Sequence, residues 1–505
     1  MCMPCRFEKR SVTQLYQADI AVIGAGTGGA VCALAAARCG LKTVLAEQTG
    51  VIGGVAATAL MGSWANLLIN TEMKMTTGGI ILEILERMVS YGATPYKTLQ
   101  EAIKGTIGKP FTIPFQPVWY THTLTEMLRE AGVTILLNTT FTEGSELPDG
   151  RKHLQLVFGT QKEEIQAKVV VDATGNAVVA ESLGAKVVSV EMGTETYGCL
   201  MRIANVDIDQ TLQYIRMCRP WEPDTAFTEW LSKKAANYSE RNRRRLTHLD
   251  DPITYDHAPM EHVDNKLLTP ERFAYIEERY QKEGVIYTME LCLLRHLIRE
   301  AVDKGDFILD YRTNELCGVT FNGDGIAYGG WGDKIALCNV AKPYGYNPAI
   351  LEEQTQAILE AKNYNIMFFR FLQKYVPGFE NSYLLDMAEQ AVARGSRMIV
   401  GCDDAEMFTQ NPLYAQPIYT FGGIYKHQLG VPVPYGKIVS RNKSNLFAVG
   451  KCSSHGMQYR SQISCMSMGV AAAAAAQLIC SRNSTSHTLC TEEFAQQLQQ
   501  MEVVI

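Results

Sequence analysis

Three glycines near the amino terminus have the spacing that a phosphate-binding turn requires. Gly24, Gly26 and Gly29 form a G-x-G-x-x-G pattern, with Thr27 and Gly28 between them. In such a turn the first glycine permits a tight bend, the second lets the backbone approach a pyrophosphate, and the third lets a helix and a strand pack closely. Backbone N–H groups at the start of the following helix then bind the phosphate oxygens. The pattern therefore predicts a dinucleotide site.

An acidic residue follows the turn where ribose recognition requires one. Glu47 ends an apolar stretch, and a carboxylate at that point accepts hydrogen bonds from ribose hydroxyls. Its charge disfavours a 2′-phosphate, so an NADP-type ligand is not expected, although the motif does not separate NAD from FAD. Gln48 comes next, and the pair Gly53 and Gly54 lies in a glycine-rich stretch whose backbone can approach a ligand closely.

The elements that must hold these residues alternate between strand and helix. Ala18–Ile23 is a short apolar strand, Ala30–Cys39 is an alanine-rich helix that Gly40 ends, and Lys42–Ala46 is a second strand. This order predicts a parallel sheet with right-handed crossovers. Further strands are predicted at 133–140, 154–158, 167–171 and 445–449, and a second alanine-rich helix at 464–479.

Two later segments resemble a known class of flavoproteins. Asp172–Gly175 ends a strand in an Ala-Thr-Gly turn, and Asn445–Lys451 is a strand that ends in Gly-Lys before the alanine-rich helix. The chain resembles the FAD-dependent oxidoreductases of the glutathione-reductase-like superfamily, and more narrowly the bacterial FAD-dependent oxidoreductase family related in fold to fumarate reductase. It departs from that family at three places. The family often has Asp where Asn176 stands and usually has Arg where Lys451 stands. It has a Gly in the last helix, where this chain has the polyalanine run 471–476.

The resemblance implies FAD as the cofactor, with its pyrimidine ring near the start of the carboxyl-terminal helix. The flavin would carry the hydride step, and the protein would position the substrate. A second glycine-rich motif for NAD(P)H is not apparent, which disfavours a reductase that binds two dinucleotides. The predicted cofactor residues are Gly24, Gly26, Thr27, Gly28, Gly29, Glu47, Gln48, Gly53, Gly54, Thr140, Ala173, Thr174, Gly175, Gly450, Lys451 and Gly469.

Four basic residues in further segments that resemble the same family are candidates for substrate binding or proton transfer. They are Arg394, Arg397, His455 and Arg460. A guanidinium group suits a carboxylate, because it can donate two parallel hydrogen bonds. An imidazole exchanges a proton near neutral pH. The alternative for Arg394 and Arg397 is a structural ion pair between domains, and for His455 it is an ordinary place in a polar loop.

The expected architecture is α/β, with a Rossmann-like parallel-sheet FAD-binding domain that is discontinuous in sequence. A mixed α+β substrate or cap domain is inserted into it. The predicted boundaries are 15–205 for the first part of the FAD domain, 206–429 for the inserted domain, 430–482 for the carboxyl-terminal part and 483–505 for a tail. The catalytic site is expected between the domains, where pockets commonly form.

Composition narrows the classes of partner. The 505 residues carry a formal net charge of −6, which gives no indication of a nucleic-acid partner. No uncharged apolar run of about 18 residues is apparent, so no membrane span is expected. The 14 cysteines are scattered, which favours free thiols in a cytoplasmic location. Cys2 and Cys5 are interpreted as part of a frayed terminus, and no metal site is predicted.

We expect an FAD-dependent oxidoreductase that transfers a hydride between the flavin and a small organic substrate. The electron acceptor is not identified, and a homo-oligomer stays open. One alternative is an FAD-dependent hydroxylase or monooxygenase that uses NAD(P)H and oxygen. Another is a non-catalytic or RNA-modification-linked protein that uses the fold to bind a nucleotide, although the acidic balance weighs against RNA. A fold resemblance does not by itself determine the reaction.

Overall fold

The computed structural model describes residues 13–65, 68–69, 74–94, 96–105, 112–189, 197–219, 222, 224–235, 270–283, 285–289, 294–308, 319–322, 334–341, 343, 345–422, 429–454 and 460–505. The helices of this part are α1 (Thr27–Arg38), α2 (Val55–Thr58), α3 (Gly79–Ser90), α4 (Leu99–Gly105), α5 (Pro117–Glu130), α6 (Val178–Ser182), α7 (Ile208–Cys218), α8 (Thr225–Ala235), α9 (Pro270–Glu283), α10 (Arg295–Asp303), α11 (Leu351–Tyr375), α12 (Ala405–Gln410), α13 (Gln462–Arg482) and α14 (Thr491–Gln500). Short 3₁₀ turns lie at Pro412–Ala415, Tyr435–Lys437 and Gly450–Cys452.

The strands of the same part are β1 (Gln14–Ile23), β2 (Thr43–Ala46), β3 (Ser63–Ala65), β4 (Leu68–Ile69), β5 (Lys74–Met75), β6 (Thr112–Pro114), β7 (Thr134–Leu136), β8 (Thr140–Glu146), β9 (Lys152–Phe158), β10 (Gln161–Asp172), β11 (Val187–Ser189), β12 (Tyr197–Ala204), β13 (Val285–Met289), β14 (Val319–Asn322), β15 (Ile335–Ala341), β16 (Tyr383–Met387), β17 (Val392–Ala393), β18 (Arg397–Ile399), β19 (Pro417–Gly422), β20 (Leu429–Pro434) and β21 (Leu446–Ala448). The predicted strand at 133–140 is divided between β7 and β8, because Asn138 between them adopts a left-handed φ of 55°.

A sheet with a parallel core forms the main domain. The parallel strands run in the order β7-β2-β1-β10, and β21 pairs in parallel with the carboxyl-terminal end of β10. Strands β9 and β8 extend the sheet in antiparallel fashion beside the amino-terminal half of β10. Residues 20–23 of β1 alternate between two hydrophobic clusters, one of which contains α1 and α13. Burial on both faces explains the continuous apolar runs, and the predicted α/β class is confirmed.

Helix α13 lies in the interior against α1. The two backbones approach so closely that a Cβ atom at Gly469 would lie 2.3 Å from the carbonyl oxygen of Gly28. Within the described residues, α13 is the helix that is long and apolar enough to span a membrane, but 89% of its apolar window is buried inside the protein. The helix is uncharged from Gln462 to Ser481 but includes polar residues such as Ser464 and Gln477, and its burial identifies it as a core helix.

A second sheet organises the middle of the chain. Its strands run in the order β13-β14-β15-β12-β16, and β17 pairs with β12. Its hydrophobic cluster starts at Tyr197 and ends at Ala393, whereas Cys402, Leu413 and Ile418 pack into the main domain. Strand β12 thus pairs inside the second sheet, and the chain packs into the main domain again by Cys402. The domain boundaries at 206 and 429 stay a prediction.

The carboxyl-terminal segment packs onto the main domain. Phe494 and Leu498 on α14 are fully buried, and the Phe494 ring lies 4.7 Å from that of Tyr435 between centroids. The Thr420 N–H donates a hydrogen bond of 3.2 Å to the carbonyl oxygen of Val504. The segment predicted as a tail at 483–505 therefore contributes to the core, because α14 presents apolar residues at helical spacing.

Candidate functional site

The predicted cofactor residues meet at one edge of the main sheet. Strands β1, β2, β10 and β21 are parallel, and their carboxyl ends lead directly into the predicted segments. These segments are the glycine turn after β1, Glu47 after β2, the Ala-Thr-Gly turn after β10 and Gly450 shortly after β21. Ligands of open α/β sheets bind outside this edge, so the topology places these residues where a dinucleotide is expected.

The three motif glycines have different surroundings. A Cβ atom at Gly29 would lie 1.9 Å from the carbonyl oxygen of Gly24, and a Cβ atom at Gly24 would lie 2.5 Å from that of Ala173. Gly24 also has a φ of +103°, which favours glycine. A Cβ atom at Gly26, by contrast, would meet nothing within 4 Å. Internal packing thus requires two of the glycines, while Gly26 borders space that a pyrophosphate can approach.

The glycine pair Gly53 and Gly54 packs against the phosphate turn. The Gly53 N–H donates to the carbonyl oxygen of Ala25 at 2.9 Å. A Cβ atom at Gly54 would lie 2.7 Å from the Cα atom of Gly26. Both residues have positive φ, 115° and 54°. The pair therefore fixes the position of the phosphate turn through backbone contacts that larger residues would prevent.

Glu47 is held in place at the end of β2. Its Oε2 accepts a hydrogen bond of 2.7 Å from the Ala25 N–H, and its Oε1 accepts bonds of 2.8 and 2.9 Å from the N–H and hydroxyl of Thr49. A carboxylate has about four acceptor positions, so a ribose hydroxyl can still be bound. Gln48 is exposed, and so is Thr140, whose neighbour Thr139 donates to the Glu47 carbonyl oxygen at 2.9 Å.

Asp172 organises the Ala-Thr-Gly turn, and sequence reasoning did not include it among the site residues. Its Oδ1 accepts hydrogen bonds from the Thr174 N–H at 3.0 Å and hydroxyl at 2.7 Å. Its Oδ2 accepts from the N–H groups of Val179 and Ala180, both at 2.9 Å. Burial raises the pKa of this carboxyl, and the hydrogen bonds oppose that shift. The available signal was an acid at the end of an apolar strand directly before the turn.

Lys451, in the turn Gly450–Cys452, connects the main domain with the second domain. Its Nζ donates a hydrogen bond of 3.2 Å to the carbonyl oxygen of Ala393 at the end of β17. Its Cε would lie 3.3 Å from a Cβ atom at Gly175, so the side chain passes the Ala-Thr-Gly turn. Gly450 before it has a φ of +75°. The thiol of Cys452 after it is buried, and burial raises its pKa.

Two predicted cofactor residues also serve helix packing. A Cβ atom at Gly28 would lie 2.9 Å from the carbonyl oxygen of Cys465 on α13, and Gly469 faces the backbone of α1. Thr27, at the start of α1, is buried. A direct cofactor contact by Gly28 or Gly469 stays a prediction.

The four candidate catalytic residues occupy different places. Arg394 is half-buried and directly follows Ala393, the residue that Lys451 contacts. Arg460 is exposed and precedes Ser461, the N-cap residue of α13. Arg397 forms an ion pair with Glu181 of α6, which agrees with the structural alternative. His455 lies outside the described residues, so its role stays a prediction.

Two polar atoms near the start of α13 are buried without a hydrogen-bond partner in the described part of the chain. They are Oε1 of Gln462 and Nε1 of Trp64. With the open side of Gly26, they fit a polar ligand at this edge. A cavity of about 700 Å³ lies elsewhere, lined by Asp19, Lys42 and Lys168 among others, and includes none of the predicted site residues. Among the described residues no group of three His, Cys, Asp or Glu is arranged for a metal ion.

Comparisons with solved structures return flavoproteins and related reductases at low identity. A geranylgeranyl bacteriochlorophyll reductase-like protein from Thermoplasma acidophilum is 12% identical, with 97% of this chain and 83% of that chain covered and a TM-score of 0.40. The p-nitrophenol 4-monooxygenase PnpA from Pseudomonas putida is 10% identical, with 96% and 84% covered and a TM-score of 0.41. Aklavinone-11 hydroxylase with FAD and aklavinone is 14% identical, with 92% and 63% covered and a TM-score of 0.42.

The family comparison is more informative. A search of curated proteins finds no match. Residues 19–411 and 420–498, however, match the family described as FAD dependent oxidoreductase. This match covers nearly the whole chain. The dinucleotide of the site is therefore FAD, and the chain belongs to the FAD dependent oxidoreductase family.

Proposed function

We propose that the protein is a dehydrogenase or reductase that transfers a hydride between FAD and a small organic substrate. The observation that carries this proposal is the hydrogen bond from Lys451 to the carbonyl oxygen of Ala393. It joins the turn Gly450–Cys452 of the main domain to strand β17 of the second domain. A substrate bound at this junction would be beside the cofactor and shielded by the second domain, as expected for pockets between domains.

The residues of the junction have separate tasks in this proposal. The start of α1 and Glu47 bind the dinucleotide, and the positive end of α13 stabilises negative charge near its first turn. Arg394 and Arg460 supply guanidinium groups that orient a substrate carboxylate. Bound FAD supplies the redox chemistry. The substrate class that this arrangement favours is a small organic acid.

Anaerobic titration of the purified holoprotein tests the proposal. We expect small organic acids that can lose a hydride to bleach the flavin absorption, or the reduced protein to be reoxidised by an unsaturated acid. Arg394→Ala should raise the substrate concentration for half-bleaching about tenfold or more, because a charge-assisted hydrogen bond contributes roughly 1.5–3 kcal/mol. Arg397→Ala is the matched control, since Arg397 already pairs with Glu181 and its loss should leave that concentration unchanged.

The same samples separate the alternatives. NAD(P)H consumption coupled to oxygen uptake, with no anaerobic bleaching by acids, would replace the proposal with the hydroxylase. No redox activity together with RNA affinity would replace it with the nucleotide-binding module. The partners also stay proposals: a small-molecule substrate, an electron acceptor to be found by screening reoxidation of the reduced protein, and neither nucleic acid nor membrane.

A further inference from the structure

Two buried polar atoms lie near the start of α13. Gln462 is 6% exposed and Trp64 is fully buried, yet Gln462 Oε1 and Trp64 Nε1 make no hydrogen bond to any residue that the structure describes. Buried polar atoms in native proteins are paired in the great majority of cases, with protein, water or ligand. One of these atoms is an acceptor and the other is a donor. Together they indicate a ligand with both kinds of group.

The orientation of the Gln462 amide follows from its other contacts. Its Nε2 donates to the carbonyl oxygens of Met61 at 2.9 Å and Ser63 at 3.1 Å. Because a carbonyl only accepts, the amide nitrogen must face these two atoms, and Oε1 must be the end without a partner. The bond to Ser63 also ties Gln462 to strand β3, in which Trp64 is the next residue.

The Trp64 ring is equally fixed. It makes edge contacts with Phe115 at 5.6 Å and with Tyr120 at 5.8 Å between ring centroids. An indole N–H is a donor only, and it usually finds a partner when it is buried. The ring contacts restrict its reorientation, so a partner has to come to the N–H group.

The first turn of α13 borders both cofactor turns. A Cβ atom at Gly28, beside the phosphate turn, would lie 2.9 Å from the carbonyl oxygen of Cys465. A Cβ atom at Gly450, in the turn Gly450–Cys452, would lie 3.5 Å from the Sγ atom of Cys465. Gln462 begins the turn that Cys465 completes. Gln462 therefore begins a helical turn that packs against both glycine turns.

We propose that Gln462 and Trp64 bind the pyrimidine edge of the flavin and set the position of its ring. This edge presents one donor, the N3–H, between two carbonyl acceptors. Gln462 Oε1 accepts from N3–H, and Trp64 Nε1 donates to a neighbouring carbonyl oxygen. The inference rests on FAD as the cofactor and is independent of the substrate under the proposed function.

Binding of FAD and of 3-methyl-FAD to the apoprotein tests this inference. The methyl group removes the N3–H and leaves the rest of the cofactor unchanged. The wild-type protein should bind FAD about tenfold more tightly than 3-methyl-FAD, because the methylated flavin cannot donate the hydrogen bond and leaves the buried Gln462 Oε1 unpaired. Gln462→Leu should bring the ratio of the two dissociation constants to about one, because the acceptor is gone.

Gln477→Leu is the matched control. Gln477 is on the same helix, its Oε1 is also buried without a partner in the described part of the chain, and it lies about 22 Å further along α13. This variant should keep the wild-type ratio. Trp64→Phe keeps an aromatic ring but removes the N–H, and it should weaken FAD and 3-methyl-FAD by the same factor, about fivefold.

The inference is overturned if the wild-type protein binds both flavins equally, a result that requires no variant to fold. It is also overturned if Gln462→Leu and Gln477→Leu show the same ratio. In either case, retained FAD binding leaves the cofactor assignment intact. Substrate bleaching, measured separately, reports on the proposed function alone.

Discussion

The glycines of the amino-terminal motif are needed for different reasons, some for packing inside the protein and one for the approach of a ligand. Contacts inside the protein require Gly24 and Gly29, whereas Gly26 faces open space. A substitution at Gly26 therefore tests ligand binding, and one at Gly29 tests folding. The sequence shows one motif, but the structure divides its residues between these two tasks.

Gly26→Ala should leave the apoprotein folded and weaken FAD binding by about tenfold or more, because the methyl group occupies the space through which the backbone approaches the pyrophosphate. Gly29→Ala should destabilise the fold itself, since its Cβ would lie 1.9 Å from the Gly24 carbonyl oxygen. Thermal unfolding of both apoproteins and quenching of flavin fluorescence on binding provide the measurements. Wild-type FAD affinity in Gly26→Ala would show that the pyrophosphate binds elsewhere.

Individual site residues differed in how well the sequence revealed them. The glycine turn and Glu47 follow from local spacing, Gly175 follows from the family resemblance, and the structure brings all three to one edge of the sheet. Gln462 could not be found in this way, because its signal is an unpaired buried atom that exists only after folding. The ion pair of Arg397 with Glu181 likewise depends on residues far apart in the chain.

At the scale of elements, Asp172 fastens the end of β10 to the start of α6. It accepts hydrogen bonds from four donors on Thr174, Val179 and Ala180. Four donors directed at one carboxyl group favour its charged form. The turn that carries Gly175 therefore depends on a single buried side chain.

Asp172→Asn should lower the free energy of unfolding by about 1–3 kcal/mol, because an amide has one acceptor oxygen and leaves buried N–H groups unpaired. Chemical denaturation measures this change. The exposed Asp149, which pairs with Arg151 at the β8–β9 turn, offers Asp149→Asn as a control with a change below about 0.5 kcal/mol. An equal effect of the two substitutions would contradict the anchoring role.

Helix α14 shows where element prediction fell short. The sequence pattern gave the β-α-β unit and the alanine-rich helix, whose propensities and apolar runs are strong. The segment after 482 is rich in Gln and Glu, so its two core residues, Phe494 and Leu498, were too few to indicate burial. Their role depends on the partner surface around Tyr435.

Phe494→Ala should destabilise the protein by about 3–5 kcal/mol, the cost of removing a fully buried phenylalanine side chain. Ile505→Ala changes a residue that is 50% exposed and should cost less than about 0.5 kcal/mol. Urea unfolding at constant pH compares the two. If both variants unfold like the wild type, the carboxyl-terminal segment does not contribute to the core.

At the scale of the whole molecule, the α/β fold class was predictable from the sequence. The parallel core follows from motifs close to the chain's beginning and end. The second domain has few motifs, and its sheet is assembled from strands separated by long charged stretches, so its limits depend on pairing rather than on composition. The return of the chain to the main domain, at Cys402, has no local signal.

The stability of the whole molecule should depend on the protonation of His487. Burial lowers the pKa of this imidazole from its ordinary 6.5, and its Nδ1 lies 2.8 Å from the Tyr414 hydroxyl. The folded protein therefore binds the proton less readily than the unfolded chain. The contribution of His487 to stability is complete above pH 6.5 and is lost as the pH falls through the lowered pKa of the folded state.

His487→Gln should flatten the loss of stability as the pH falls below 6.5, in the part of that range that lies above the titration of most carboxylates. Urea midpoints measured across this range give the slope. Identical slopes for wild type and His487→Gln would contradict the assignment.

The central claim is that FAD binds at the carboxyl edge of the main sheet. The most direct measurement is the visible absorption spectrum of the purified protein, before and after heat release of its chromophore, for the wild type and Gly26→Ala. We predict flavin bands in the wild type, FAD in the supernatant after heating, and much weaker bands in Gly26→Ala despite normal folding. A colourless wild-type protein that FAD cannot reconstitute would contradict the claim.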